Sequence, residues 1–386
     1  MPGYELIDEA ERDAVNDVFD HGGVLFRQSF DNLRQNTFKV REFEAAFASR
    51  MGVEHALAVT SGTAALRVAL AALGIGPGDE VVTQSFTFVA TVEAIIESGA
   101  TPVICEIDGT LNMDPTHLKQ VISQRTKAVI AVHMLGVPAR LDAIGAVVRD
   151  AGIPLIEDTA WGCGGSFGGK PLGTHGAIGT YSFDFAKTMT TGEGGMLVFQ
   201  DARTAERARA WHDHGHENNP ALPRWEDSRS GSGFNYRMME LQGAVGLAQL
   251  AKLDRVVEAQ RANCHLMREA LEGIPGLSFR ETADGSMETA DALVFFVPDA
   301  PAASRCRKAL LDAGVGTKIL PEAITWHFAG AWNHMPSLVR SHGGDLSRAF
   351  PVSLGWLERA VALPIFVRMP EDLPTRTCVA LRRVLD

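Results

Sequence analysis

The sequence predicts an α/β protein: a mainly parallel sheet between helices, followed by a smaller carboxy-terminal α+β lobe. Three observations point to this fold class. Short apolar runs alternate with helix-like stretches from residue 55 to residue 199, which is the rhythm of repeated βα units. One such run ends at a carboxylate, Asp158. A polar residue in this position is typical of a buried parallel strand whose carboxyl end borders a crevice. After Phe199 the alternation stops, and a polar loop, a long helical pattern and short strands follow.

The length of the chain indicates the number of domains, and its charge indicates which classes of partner are disfavoured. Its 386 residues exceed one ordinary domain. We therefore expect a large domain over residues 1–250, including an amino-terminal arm, and a smaller α+β domain over residues 251–386. The net charge of −11 argues against nucleic-acid and anionic membrane partners, because both attract basic surfaces.

Compartment signals favour a cytoplasmic protein. The first residues lack the basic and apolar regions of a signal peptide, and no apolar run approaches the ~18–20 residues that span a bilayer. Five cysteines are scattered without a C-x-x-C pair. A disulfide framework and a zinc site are both disfavoured by that pattern, and we expect no metal.

The amino-terminal region contains two predicted helices, over residues 4–20 and 38–50, separated by the turn-rich stretch Gly22 to Thr37. That stretch is either a linker or a loop that covers a partner's active site. The run beginning at His55 then predicts a strand that turns into a helix at Ser61-Gly62-Thr63. Small hydroxylated residues at a helix start leave backbone N–H groups for an anion, although an ordinary N-cap fits this stretch equally well.

The βα rhythm continues to residue 151, and its elements can be assigned in order. Strands are predicted over 79–83, 101–108 and 126–134, and helices over 86–95 and 139–151. Repeated units of this kind place functional sites at the carboxyl ends of the strands.

The stretch from Leu155 to Phe199 contains the candidate catalytic residues. Asp158 ends one strand-like run, Lys187 closes a second one (Gly179 to Phe185), and a glycine cluster follows at once. A lysine and a carboxylate at strand ends suit pyridoxal phosphate, which is held as a Schiff base by lysine while a carboxylate keeps its ring nitrogen protonated. A buried Asp–Lys ion pair is the plainer alternative for these two residues alone.

The remaining third of the chain predicts the smaller lobe. A helix over 201–211 precedes the polar loop 212–235. A strong helix is predicted from Met238 to Leu253, continuing in broken form to about residue 272. Further elements are a strand over Ala292 to Val297 and helices over Ala303 to Ala313 and Leu373 to Val384.

Six motifs follow one another between residues 56 and 250: S-G-T-A-A-L, G-D-E-V-V, F-T-F-V-A-T, I-E-D, Y-S-F…K…T-T-G-E-G-G and N-Y-R-M-M-E-L-Q-G-A-V-G-L-A-Q-L. Together they resemble the sugar aminotransferases of the DegT/DnrJ/EryC1/StrS family. The resemblance implies a fold-type I, aspartate-aminotransferase-like enzyme with pyridoxal phosphate as cofactor. It also implies a homodimer with shared active sites and an amino donor such as glutamate or glutamine.

The resemblance also implies roles for individual residues. Lys187 would form the internal aldimine and then transfer protons, and Asp158 would pair with the pyridinium nitrogen. The cofactor ring would stack on Phe88. The phosphate would be held by Ser61, Gly62, Thr63 and Ser182, and by Asn235 of the neighbouring subunit. The acceptor would be a keto- or aldehydo-sugar, aminated from the pyridoxamine phosphate form of the enzyme.

One branch of the family is similar over further short segments, including D-H-G-H (Asp213 to His216) and W-H-F (Trp326 to Phe328). Its enzymes aminate the C8 aldehyde of a 3-deoxy-octulosonate. On that resemblance Arg27, His214, His216 and Trp161 are candidate substrate residues. Two positions depart from the family. Trp161 stands where glutamine commonly meets the cofactor's 3-oxygen, and Gln84 stands at a usual proline. An indole ring accepts no hydrogen bond, so the cofactor or substrate contacts must differ.

Other functions remain open. The acceptor could be a different one, such as an aminocyclitol precursor, or the protein could be a PLP-binding regulator without turnover. A dehydratase of the same family carries histidine in place of the lysine, which Lys187 argues against. A nicotinamide dehydrogenase is disfavoured because the glycines around 164–169 do not lie between a first strand and its helix.

Overall fold

The computed structural model describes residues 2–219, 221–229 and 231–385. The strands in this part of the chain are β1 His55–Val59, β2 Glu80–Gln84, β3 Thr101–Cys105, β4 Thr126–Val132, β5 Leu155–Asp158, β6 Ser166–Phe167, β7 Lys170–Pro171, β8 Ile178–Ser182, β9 Gly195–Phe199, β10 Ser278–Phe279, β11 Ser286–Met287, β12 Ala292–Phe296 and β13 Ala360–Pro364.

The α-helices in the same residues are α1 Glu9–Asp20, α2 Lys39–Met51, α3 Gly62–Ala72, α4 Val89–Glu97, α5 Pro115–Val121, α6 Leu141–Ala151, α7 Ala202–Trp211, α8 Glu240–Leu271, α9 Ala300–Asp312, α10 Ile324–His327, α11 Pro336–Ser341, α12 Pro351–Leu357 and α13 Leu373–Leu385. Short 3-10 turns occur at Tyr4–Leu6, Met134–Gly136, Ala329–Ala331 and Leu346–Arg348.

A seven-stranded sheet forms the main part of the molecule, in the order β1-β9-β8-β5-β4-β2-β3. Strand β9 is antiparallel to both of its neighbours, and the other pairings are parallel. The α/β fold class with a mainly parallel sheet is therefore confirmed. Strands β2, β4, β5 and β8 point the same way, so their carboxyl ends meet at one edge of the sheet.

Both faces of this sheet are covered. Helix α3 packs on one face, where Leu66 and Leu70 belong to a buried apolar cluster with Leu57 and Ile156. Helices α2 and α8 cover part of the other face, and Phe47 of α2 lies 4.9 Å from the Tyr181 ring. Burial on both faces explains why the strands read as continuous apolar runs rather than alternating ones.

A smaller antiparallel sheet, β10-β12-β13, forms the carboxy-terminal part together with α9, α13 and the end of α8. Helix α8 is one unbroken helix of 32 residues, so the predicted break was wrong. The second half of α8 contains no glycine or proline, and residues with high helix propensity allow the helix to continue. The expected division at residue 250 falls inside α8, and we keep two domains as a proposal in which this helix is common to both.

No helix in the described ranges combines the length and the apolar character that crossing a bilayer requires.

Candidate active site

A cavity of about 400 Å³ opens where the carboxyl ends of the main-sheet strands meet the carboxy-terminal part of the chain. Its wall is formed by the start of α3, the start of α4, the ends of β5 and β8, and the loop after β8. Two further segments, around Lys318 and His327, close the cavity from the smaller lobe.

The start of α3 presents backbone donors to this cavity. Ser61 caps the helix, and its side-chain oxygen accepts a hydrogen bond from the Ala64 N–H at 3.0 Å. Gly62 and Thr63 follow as the first residues of the helix, whose leading N–H groups have no intrahelical acceptor. A Cβ on Gly62 would lie 2.7 Å from Ser182 Cβ, so only glycine lets β8 and α3 approach this closely. The segment is therefore suited to an anion.

Asp158 ends β5 and lies at the bottom of the cavity, 5% exposed. Its Oδ2 accepts a hydrogen bond from the Thr91 hydroxyl at 2.9 Å, and its Oδ1 accepts one from the Ala160 N–H at 3.1 Å. Burial raises the pKa of Asp158, whereas these two hydrogen bonds and the charge of Lys187 act in the opposite direction. A cationic group that entered the cavity would favour the ionised carboxylate.

Lys187 projects into the same cavity from the loop after β8. Burial is the main cause that lowers its pKa to about 8. Three carboxylates oppose this change, in the order Asp184, Asp158 and Asp291, and the ammonium of Lys318 adds to it. A minor fraction of Lys187 is thus a neutral amine at pH 7, far more than for an ordinary lysine, and this is the form that attacks a carbonyl.

Trp161 forms the part of the cavity wall beneath the lysine. The Lys187 Nζ lies 3.6 Å from the centre of the indole ring. The Trp161 backbone is tied to the chain around Thr289, whose hydroxyl donates to the Trp161 carbonyl oxygen at 3.2 Å. The residue is 8% exposed, so its ring occupies a fixed and largely dry position.

Phe88 and His327 face each other across the cavity mouth, with ring centres 5.5 Å apart. Phe88 is half-exposed, which leaves its ring accessible to a ligand. Burial lowers the pKa of His327, so this imidazole is neutral at pH 7. Of the nine residues predicted to contact the cofactor, eight line this one cavity. They are Ser61, Gly62, Thr63, Phe88, Asp158, Trp161, Ser182 and Lys187.

The exception is Asn235, which is exposed and does not line the cavity. Its side-chain oxygen accepts a long hydrogen bond from the Arg237 N–H at 3.3 Å. The role expected for Asn235 in a neighbouring subunit stays a prediction.

Three predicted substrate residues also lie outside the cavity lining. The buried Arg27 guanidinium donates to the Glu44 carboxylate at 2.8 Å and to the Ala58 carbonyl oxygen at 2.9 Å, so its charge is already engaged. His216 contacts the Asp227 carboxylate at 3.1 Å, and His214 lies exposed on the same loop. Within one chain, we therefore assign Arg27 an architectural role instead of a substrate contact.

Sequence reasoning missed three residues at the cavity: Thr91, Lys318 and His327. Thr91 was visible in the F-T-F-V-A-T motif, but its bond to Asp158 depends on how α4 crosses β5. His327 lies in the W-H-F segment named for the branch resemblance, but no strand-end or helix-start signal marked it or Lys318 as a cavity residue. In the described part of the chain, no cluster of three or more His, Cys, Asp or Glu side chains is arranged to hold a metal ion.

The chain is similar to known proteins in both sequence and fold. The sequence pattern of the DegT/DnrJ/EryC1/StrS aminotransferase family matches residues 24–382. The chain is 35% identical to the spore coat polysaccharide biosynthesis protein SpsC of Bacillus subtilis, over 86% of each chain. It is 36% identical to GDP-perosamine synthase of Vibrio cholerae, over 71% of this chain and 72% of that one. The crystal structure of DesV from S. venezuelae in complex with a ketimine intermediate superposes with a TM-score of 0.84 at 28% identity, over 98% and 95% of the two chains.

Proposed function

Because this chain belongs to the DegT/DnrJ/EryC1/StrS aminotransferase family, whose members are PLP-dependent sugar aminotransferases, we propose that Lys187 and Asp158 are its catalytic pair. The reaction is transfer of an amino group from glutamate or glutamine to a keto- or aldehydo-sugar. The observation that carries this proposal is that both side chains line one cavity with a helix start suited to phosphate.

The residues present fit pyridoxal phosphate. When bound, this cofactor supplies a carbonyl that links to amines and a ring that withdraws electrons from the linked carbon. Gly62, Thr63 and Ser182 would hold the phosphate, because backbone N–H groups and a hydroxyl converge there at the positive end of α3. Asp158 is a buried carboxylate in the same cavity lining, and a cationic ring nitrogen beside it would favour its ionised form against the effect of burial.

Lys187 would hold the cofactor covalently and then move protons at the substrate carbon. Both tasks need an amine that is neutral part of the time at physiological pH, and a pKa of about 8 meets that need. Asp158 would stay in place during these steps, because Thr91 and the Ala160 N–H hold its two oxygens.

The two aromatic residues would position and shield the reacting groups. Phe88 offers an accessible ring face for stacking on the cofactor. The Trp161 ring would exclude water from the Lys187 amine, and it is larger than the glutamine side chain that is common at this position in the family. It would therefore contact the cofactor or the substrate through its ring rather than through a side-chain acceptor.

The acceptor we propose is an acidic aldehydo-sugar of the 3-deoxy-octulosonate kind, on the resemblance of the D-H-G-H and W-H-F segments. A nucleotide-linked keto-sugar is the second candidate, supported by the 36% identity to GDP-perosamine synthase. An aminocyclitol precursor is a third acceptor class within the same chemistry. A cytoplasmic location is part of this proposal, since all five cysteines are free thiols and four are buried.

A homodimer with shared sites completes the proposal. Asn235 and the exposed rings of Phe234 and Trp225 lie on the 212–235 loop, outside the cavity of their own chain. In a dimer this loop would bury its apolar surface, and Asn235 would approach the phosphate held by the neighbouring subunit.

The deciding experiment measures formation of 2-oxoglutarate from glutamate by the purified protein with pyridoxal phosphate and each acceptor class in turn. The expected result is glutamate-dependent turnover with one class and none with Lys187→Ala. Borohydride treatment followed by peptide mapping should place the reduced cofactor on Lys187. Absence of any half-reaction with glutamate, glutamine or another amino donor would remove the proposed function.

A further inference from the structure

A second lysine shares the indole ring of Trp161 with Lys187. The Lys318 Nζ lies 4.8 Å from the ring centre, and Lys318 lines the cavity. Its backbone is fixed to the smaller sheet, because its N–H donates to the Ala362 carbonyl oxygen of β13 at 2.8 Å. The ammonium therefore reaches the site from the carboxy-terminal part of the chain.

Asp291 holds this ammonium in place. Lys318 Nζ donates to Asp291 Oδ2 at 2.6 Å and lies 3.3 Å from the Asp291 carbonyl oxygen. The Asp291 side chain is 1% exposed, whereas the Lys318 side chain is 18% exposed. A lysine ammonium has three N–H donors, and these two contacts account for two of them. Among the described residues the third has no hydrogen-bond acceptor, and Lys318 lines the cavity.

The charged side chains that line the cavity differ in whether they can attract an anionic substrate. Among the residues described as lining the cavity, the basic groups are Lys187, Lys318 and His327. Burial keeps His327 neutral, and Lys187 is committed to the cofactor in the proposed function. The lining also contains three carboxylates (Asp158, Asp184 and Glu193), which repel an anionic substrate, and the phenol of Tyr181, whose pKa is raised by burial. Lys318 is thus the remaining cation that one chain offers to such a substrate.

We propose that Lys318, positioned by Asp291 against Trp161, binds a carboxylate of the substrate. This inference rests on the proposed function, because it takes Lys187 as the site of amino transfer. The geometry favours the carboxylate of the amino donor. In an amino acid this group is attached to the carbon that bears the amine, and Lys318 shares one ring with the lysine that this amine must meet. The carboxylate of an acidic sugar offers the same chemistry from the acceptor side.

The first test uses a probe that does not react. Glutarate carries the two carboxylates of the donor without its amine, and its dissociation constant for the holoenzyme is measured by competition with glutamate. Lys318→Met is expected to weaken glutarate binding about 10- to 100-fold, the loss typical of one hydrogen bond to a charged group. Lys318→Arg should recover part of the affinity. Lys308→Met, on the exposed surface of α9, is the matched control and should bind like the wild type.

The second test separates the two carboxylate sources. KM and kcat are measured for glutamate with a fixed acceptor, and then for an acidic and a neutral sugar acceptor with a fixed donor. A rise in KM for glutamate alone assigns Lys318 to the donor, and a rise for the acidic sugar alone assigns it to the acceptor. Either result supports the proposal if the visible absorbance of the bound cofactor is unchanged.

A structural role for Lys318 would give a different pattern. Lys318→Met leaves Asp291 buried without its partner, so the double variant with Asp291→Asn is examined beside it to restore stability. Unchanged glutarate affinity together with an unchanged KM for the acidic sugar in both variants, or loss of the cofactor absorbance in both, would overturn the inference. An active wild-type enzyme in that experiment leaves the proposed function standing, so the two failures are distinguishable.

Discussion

The backbone N–H of Gly3 donates a hydrogen bond to the carbonyl oxygen of Lys187 at 3.1 Å. A Cβ on Gly3 would lie 2.8 Å from the Met189 Cα and 2.9 Å from the Thr190 N. The amino-terminal segment is therefore packed directly against the loop that carries the candidate catalytic lysine, and Gly3 is needed for the close approach rather than for an unusual backbone angle, since its φ is −62°.

Gly3→Ala is expected to displace this loop. We predict a loss of ~1–3 kcal/mol in the free energy of unfolding, as for other overpacked sites, together with a lower kcat. Chemical denaturation and steady-state kinetics measure the two effects. Gly355→Ala is the control, because a Cβ there meets no atom within 4 Å and alanine favours helix α12. Equal stability of the two variants would contradict the predicted clash.

The lowered pKa of Lys187 predicts the pH dependence of cofactor capture. The amine form predominates above about pH 8, so the rate at which apoprotein takes up pyridoxal phosphate should rise through that pH and then level off. Stopped-flow absorbance follows the reaction. Lys187→Arg should show no covalent capture, because guanidinium remains protonated. A midpoint near the ordinary lysine value of 10.5 would count against this prediction.

The same pKa affects stability. Between about pH 8 and 10.5 the unfolded chain binds more protons at residue 187 than the folded chain does, so the folded apoprotein should gain stability as pH rises through this window. Lys187→Met should lack that part of the slope. Denaturant titrations of both apoproteins at several pH values provide the comparison, and parallel curves would show that Lys187 does not titrate as described.

Thr91→Val removes the hydroxyl that donates to Asp158. Loss of a hydrogen bond to a charged group should reduce kcat about 10-fold or more, and the pKa of Asp158 should rise further because that bond helps to lower it. The acid limb of the pH–rate profile should move to higher pH. Thr83→Val is matched in burial, and its hydroxyl donates to the Ile130 carbonyl oxygen away from the cavity. It should lower stability without moving the profile; identical profiles in both variants would contradict the role given to Thr91.

Trp161→Gln replaces the ring beneath Lys187 by the side chain common in the family. Burial is the main cause of the low pKa of Lys187, and the smaller polar side chain admits water. The pH midpoint for cofactor capture should therefore shift upward, toward 10.5. Trp161→Phe keeps an aromatic face and should shift it less. A downward shift in Trp161→Gln would show that attraction to the ring, rather than exclusion of water, dominates.

Asn235→Ala and Lys187→Ala test whether sites are shared between subunits. Each variant alone should be nearly inactive if Asn235 serves the neighbouring site. Exchange of subunits between the two variants should then restore about a quarter of the wild-type activity, since half of the dimers are mixed and each contains one intact site. No recovery on mixing would show that each chain forms its site alone.

The pairing of Asp158 with Lys187 was predictable because it depends on a local rule. Carboxyl ends of adjacent parallel strands meet at one edge of a sheet, and the sequence places both residues at or just after such ends. Arg27 shows the limit of such reasoning. It stands in a turn-rich stretch with no local partner, and only the folded chain brings Glu44 and the Ala58 carbonyl oxygen to its guanidinium.

Sequence patterning by itself determined the α/β class, the order of the main elements and the residues at the strand ends, because periodicity, capping and strand direction are properties of neighbouring residues. The tertiary structure decided which residues from the smaller lobe close the cavity. Lys318 and Trp161 are far apart in the chain, and they meet because β13 and the segment before α10 pack over the edge of the large sheet. Contacts of that kind depend on how two layers dock, which no local pattern encodes.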